Sequence, residues 1–252
     1  MVAPGRPRGP PLQRGVCDLL QEQFQNQVLR GQGREVLKRL EAEERIGIVL
    51  LGRPYHNDPG INHEILEEFQ KIGYPVLNLQ SLPIDEDIIL PLFEEDMKAG
   101  LIKHPTDIRD AWKNSYSENT SQKIWAAKYT ARHPNLVALE LSSFKCGHDA
   151  PIYTAVEETV TKSGTPYFSF KDIDENKPTG SIKIRVETIS YFLKRYREDI
   201  LRRKQKQAEI DAKLKEFEAR LRAELDGMPV VAPPPEPYQV EMPVGINAIR
   251  RG

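Results

Sequence analysis

Residues 135–151 read NLVALELSSFKCGHDAP, and this stretch decides how the rest of the chain is laid out. Val137, Leu139 and Leu141 alternate with Ala138 and Glu140, the two-residue period of a strand lying on a core. The apolar pattern then stops, and Ser142, Ser143, Lys145, Cys146, Gly147, His148 and Asp149 form a polar loop. In open α/β sheets, ligands and cofactors sit in the crevice beyond the carboxyl ends of the strands, where such a loop lies. Cys146 is therefore a candidate reactive thiol or metal ligand. Lys145 and a protonated His148 beside it would favour the thiolate.

Upstream, RIGIVLL (45–51) is a short β-branched run with the length of a buried central strand, ended by Gly52. In the following GRPYHNDPGINHEILEEFQKIG (52–73), Asp58 is a helix N-cap and Pro59 the first helical residue. Ile61, Ile65, Leu66, Phe69 and Ile72 predict one buried stripe on the helix that follows. Gly52, Arg53, Tyr55, His56 and Asn57 thus occupy a strand-to-helix loop, where free backbone amides could meet a phosphate or carboxylate. The loop carries neither G-x-G-x-x-G nor G-x-x-x-x-G-K-[ST], so no dinucleotide or P-loop site is expected. His56 and His63 stand seven residues apart across a cap, with no zinc-type spacing, and are read as structural.

PVLNL (75–79) supplies the next strand after Gly73, which makes a βαβ unit with the usual right-handed crossover. A helix is predicted over 85–98. Trp112 to Asn119 reads as a loop, with Ser117 or Asn119 capping a helix over 122–131; the alternative is a polar wall for a pocket. Tyr153 to Lys162 is another helix, and PYFSF (166–170) another strand. Asp172, Asp174 and Asn176 mimic the start of a calcium loop, but Lys177 replaces the required glycine and no glutamate stands at the twelfth position. Pro178, Thr179 and Gly180 open a long helix with Ile182, Val186, Ile189, Leu193 and Tyr196 on one face.

The expected fold is α/β: a Rossmann-like open, mainly parallel sheet with helices on both faces, plus a long C-terminal helix. Residues 1–15, rich in Pro, Gly and Arg, form a disordered lead-in. Val16, Leu20, Phe24 and Val28, then Val36, Leu37 and Leu40 after a break at Gly31 and Gly33, predict two helices over 16–44. Cys17, beside that stripe, is read as a small half-buried side chain. The α/β domain spans 45–199. A charged helix extension follows over 200–226, with Ile210, Leu214, Phe217, Leu221 and Leu225 spaced to pack on a partner helix, and a Pro-rich tail over 227–252.

Thirty-six Lys and Arg against 37 Asp and Glu leave a formal charge of −1, with no concentrated basic face, so neither nucleic acid nor an anionic membrane is an expected partner. No run of about 20 apolar residues and no signal-peptide core is present, which predicts a soluble protein. Two cysteines far apart suit a reducing, cytoplasmic setting.

LGRPYHNDPGINHEI (51–65), NSYSENT (114–120), ELSSFKCGHDAPIY (140–153) and GTPYFSFKDIDENKPTGSIKIRVETISYFL (164–193) resemble the motifs of acyl-CoA dehydratase activase-related proteins. In that family they form a domain similar to the iron-sulfur subunits of 2-hydroxyacyl-CoA dehydratases, and the resemblance covers about residues 45–199. It implies a Rossmann-like fold, a 4Fe-4S iron-sulfur cluster, and association with an ATP-hydrolysing activase that drives electron transfer. A cysteine loop after a strand, a Gly-small-Pro strand and a glycine-opened helix follow one another in those subunits; Cys146, Thr165 to Phe168 and Gly180 to Arg185 match that order. Cys146 would then be the metal ligand. Gly52, Arg53, Tyr55, His56, Asn57, Gly147 and His148 would line the cofactor crevice. A 4Fe-4S cluster takes four ligands, mostly cysteine, whereas one loop cysteine stands here; Gln80, Ser81 and Leu82 occupy the place of another ligand cysteine. The remaining ligands would come from another domain or chain.

Three functions follow: an iron-sulfur electron-transfer module; a non-catalytic docking or scaffold domain of a larger activase polypeptide; and a Cys-His enzyme acting on acyl thioesters, with His148 or His56 as the base for Cys146. Partners would be the activase, an acyl-CoA dehydratase or other reductase subunit, and a second copy in a homo-oligomer.

Overall fold

Four parallel strands form one open sheet, in the order β2-β1-β3-β4, with β1 at Gly47–Leu51, β2 at Val76–Leu77, β3 at Leu136–Leu141 and β4 at Tyr167–Phe170. In the computed structural model the described residues are 11–115, 117–142, 147, 149–170 and 179–226, with backbone alone for 11–24, 179, 225 and 226. Ile48 is registered with Val76 and with Val137, and Leu139 with Phe168, so β1 and β3 make the centre. Every residue of β1 and β3 is buried. Both faces are covered, which is why the alternation predicted for β3 does not appear as an inside and an outside.

The two faces bury different sets. Val49, Leu51, Leu136 and Ala138 pack with Leu37 and Leu40 of α1 (Pro11–Ala42), Ile89 of α4 (Glu86–Leu92), Ile124 of α6 (Glu118–Arg132) and Val156 of α7 (Tyr153–Thr161). Ile48, Leu50, Val137, Leu139 and Leu141 pack with Ile65 and Phe69 of α3 (Ile65–Lys71) and with Ile182, Val186, Ile189 and Leu193 of α8 (Thr179–Asp226). Each such fully buried aliphatic side chain contributes roughly 1.5–3 kcal/mol. The α/β class, the sheet and the long C-terminal helix are as the periodicity predicts. Among the described residues, no helix is long and apolar enough to cross a membrane.

Three local expectations change. The first is the break at Gly31 and Gly33: α1 is one continuous helix through both. A Cβ built at Gly33 would lie 1.7 Å from the Ser81 carbonyl oxygen, so this glycine lets the helix press directly on the 3-10 turn Leu79–Ser81. The second is the helix after Asp58. Asp58 does cap it, its carboxylate accepting from the Gly60 amide at 2.8 Å, but α2 is only Pro59–Asn62. His63 and Glu64, both left-handed at φ 54° and 59°, redirect the chain before α3 begins. Ile65 and Phe69 are buried while Ile61 and Ile72 stay exposed. The third is the helix over 85–98, which Pro91 and the off-helical Phe93 (φ −110°, ψ 11°) divide into α4 and α5 (Glu94–Lys98).

The chain divides into two units, residues 1–203 and 204–252. The described part of the second is the end of α8, whose Ile210, Leu214, Phe217 and Leu221 are exposed. The calcium-like stretch 171–178, residues 1–10 of the lead-in and the tail 227–252 lie outside the described residues, as does the side chain of Cys17; residues 11–15, expected to be disordered, are instead the first turn of α1.

Gly33→Ala is expected to lower stability by about 2 kcal/mol or more, because the new methyl meets backbone rather than a side chain that can turn aside. Gly31 has open space around its Cα, so Gly31→Ala should raise stability by about 0.5–1 kcal/mol. Urea denaturation of the two variants measures the opposite signs.

Candidate functional site

Since β2 lies on one side of β1 and β3 on the other, the sheet reverses its order between β1 and β3, and the loops leaving their carboxyl ends flank that point. Arg53 stands two residues beyond β1, and Asp149 follows the loop after β3. Their side chains meet across the gap: the Arg53 Nε and Nη2 atoms lie 2.8 and 2.7 Å from Asp149 Oδ1. Arg53 is 6 % exposed and Asp149 fully buried.

The pair belongs to a longer buried chain of charge. Lys123, projecting from α6 and wholly buried, has its Nζ 3.4 Å from Asp149 Oδ1 and 2.6 Å from Glu140 Oε1 on β3. The Tyr167 hydroxyl of β4 donates to the other Glu140 oxygen, and Arg53 Nη2 lies 3.4 Å from Thr120 Oγ1. Two cations and two carboxylates thus balance in a site sealed from water. Such a set is neutral as a whole, and removing one member strands the opposite charge. Burial and the neighbouring Glu140 carboxylate hold the Tyr167 hydroxyl well above the usual phenol range, so it stays a donor.

His56 is tied into the same structure. Its Nδ1 accepts from the Arg53 amide at 3.0 Å, which leaves the ring proton on Nε2 in the neutral form. A Cβ at Gly52 would come within 2.9 Å of that Nδ1, so the glycine admits the ring against the end of β1. Asn62 of α2 donates to the His56 carbonyl at 3.1 Å. Burial first, then Lys123, lowers the His56 pKa to about 4, with Asp149 opposing and Arg53 adding to the fall. With Nδ1 already accepting, His56 is poorly set to take a proton from a thiol.

The residues chosen from sequence therefore divide. Arg53, His56 and Gly52 are buried in internal contacts, Tyr55 is 45 % exposed with its ring edge-on to His56, and Asn57 and Gly147 are exposed. Cys146 and His148 lie outside the described residues. Among the described residues, no group of three His, Cys, Asp or Glu side chains could hold a metal ion. Where the resemblance puts a further ligand cysteine, Ser81 has its amide held by Asn78 Oδ1 and its hydroxyl donating to Asn78 O, both at 2.9 Å. The described residues do not fit a self-contained iron-sulfur cluster.

Lys123, Glu140, Thr120 and Tyr167 escaped the reading of the sequence. One signal was present: a carboxylate inside the apolar run LVALEL requires a buried cation or donor. Which lysine answers it could not be told, because Lys123 looks like any surface helix residue. The stretch NSYSENT contributes Thr120 to the buried network rather than to the wall of a pocket, and Ser117 precedes α6 without a side-chain cap.

Lys123→Met is expected to cost about 3–5 kcal/mol by stranding Glu140 and Asp149, and adding Glu140→Gln should recover part of the loss in a urea double-mutant cycle. His56 also makes stability depend on pH. Its folded pKa is depressed, so its contribution is intact above about pH 6.5 and is lost as pH falls from there to about 4, where the unfolded chain takes up a proton that the folded chain refuses. The slope is at most about 1.4 kcal/mol per pH unit. His56→Gln should flatten the stability profile across that window.

A family model described as the CoA enzyme activase uncharacterised domain matches residues 19–82. No curated protein matches the chain. No solved structure matches it. The matched segment contains most of α1, the first βαβ unit and the loop that carries Arg53 and His56. Over residues 19–82, about a quarter of its length, the chain is similar to that activase-related domain.

Proposed function

We propose that this chain is a component of an activase system in which Cys146 supplies one thiolate to an iron-sulfur cluster, the other ligands coming from another domain or chain. The partner would be an ATP-hydrolysing activase, with an acyl-CoA dehydratase or another reductase as the recipient of electrons. What supports this reading is the anchoring of the loop that contains Cys146. Ser142 and Asp149, at its two ends, are fully buried, and Asp149 is fastened to Arg53 at the reversal point of the sheet. A loop held so firmly at its base suits presentation of one ligand to a partner. When bound, the cluster would supply one-electron chemistry. The chain's own contribution is to hold the ends of the loop, and to keep a neutral His56 and a balanced set of charges around Asp149.

A second reading, a docking domain without iron, draws on the two-cysteine composition and on the closed turn at Ser81.

Transfer of a preformed 4Fe-4S cluster ligated by small-molecule thiolates, under anaerobic conditions, separates the two. The iron-sulfur reading expects the full chain to take up the cluster by exchanging one thiolate, with uptake lost in Cys146→Ser and retained in Cys17→Ser. Equal uptake by the wild type and Cys146→Ser, or none by either, would leave the docking reading.

A further inference from the structure

The second unit is the clearest surface left without a role. Ile210, Leu214, Phe217 and Leu221 of α8 are 42, 52, 56 and 43 % exposed, and their spacing of four, three and four puts them on one stripe. Aliphatic and aromatic side chains repeating in this way are the d, a, d, a positions of a heptad seam, which is stable only when another helix covers it.

The flanking charges say which helix. With Leu214 and Leu221 at a, the g positions are Lys206, Lys213 and Arg220, all basic, and the e positions Asp211 and Glu218, both acidic. In a parallel two-stranded coil each g residue faces the e residue five positions on in its neighbour. Lys206 would meet the partner subunit's Asp211, and Lys213 the partner subunit's Glu218. In an antiparallel pair g faces g and e faces e, which would set Lys and Arg against one another and the carboxylates likewise. Asp211 accepts from a neutral donor, the Gln207 amide at 2.8 Å within its own helix, and Gln207 is a polar a position.

We infer that residues 206–221 pair, parallel and in register, with the same segment of a second copy of this chain. The seam spans little more than two heptads, so the dimer is concentration-dependent rather than permanent. This inference rests on the helix alone and stands whether or not Cys146 binds iron.

Sedimentation equilibrium of the full chain tests it. The weight-average mass should rise from monomer towards dimer over the micromolar range. Leu214→Asp with Phe217→Asp should hold the chain at monomer mass with an unchanged thermal transition of the α/β unit. Lys213→Glu alone and Glu218→Lys alone should each weaken association by about tenfold or more, since each makes two repulsive contacts. An equimolar mixture of these two variants should associate at least as well as the wild type, because every crossed pair is again attractive. A wild type that is monomeric throughout would overturn the proposal. So would a dimer untouched by the Asp substitutions, or charge variants that do not prefer each other.

Discussion

The ion pair between Arg53 and Asp149 is the constraint around which the functional end of the sheet is built. It joins two loops 96 residues apart in sequence, each leaving a central strand at the place where the strand order turns back on itself. Neither charge could be buried alone. Lys123 and Glu140 make the burial tolerable by extending the pair into a neutral set, and α6 must therefore lie close enough to the sheet for a lysine to reach it. The position of α6, the neutrality of His56 and the anchoring of the loop after β3 are linked through this one arrangement.

That linkage explains why the crevice differs from what residue types suggest. Arg53 and His56 look, in sequence, like side chains offered to a ligand. In the folded chain the guanidinium is paired with Asp149 and the ring's Nδ1 accepts from the Arg53 amide. These residues shape the support of the site more than its surface, leaving Tyr55, Asn57 and Gly147 as the predicted members that face solvent.

Much of the fold was legible because period and punctuation agreed. RIGIVLL, LVALEL and PYFSF became strands, Gly73 and Gly164 took left-handed φ values of 90° and 78° at helix ends, and Ile182 to Leu193 formed a buried face. What could not be read depended on contacts remote in sequence. Gly33 looks like a helix breaker until Ser81 is set against it. The left-handed pair His63 and Glu64 carries no glycine to announce it. The site was legible as a place, the two loops beyond β1 and β3, but not as a charge network, since helical spacing cannot tell a buried lysine from an exposed one.

The contact at Gly33 also bears on where this protein can be cut. By composition alone, a boundary near residue 45 would separate leading helices from an independent α/β domain. Yet α1 seats its backbone on the turn that follows β2, with Leu37 and Leu40 filling the core behind it. The first helix is thus a wall of the sheet rather than a preface to it. The family match, running from residue 19 to residue 82, has its two ends in the two partners of this embrace. A truncation that begins after α1 would open one flank of the apolar interior to water, so the smallest autonomous version of this domain includes that helix.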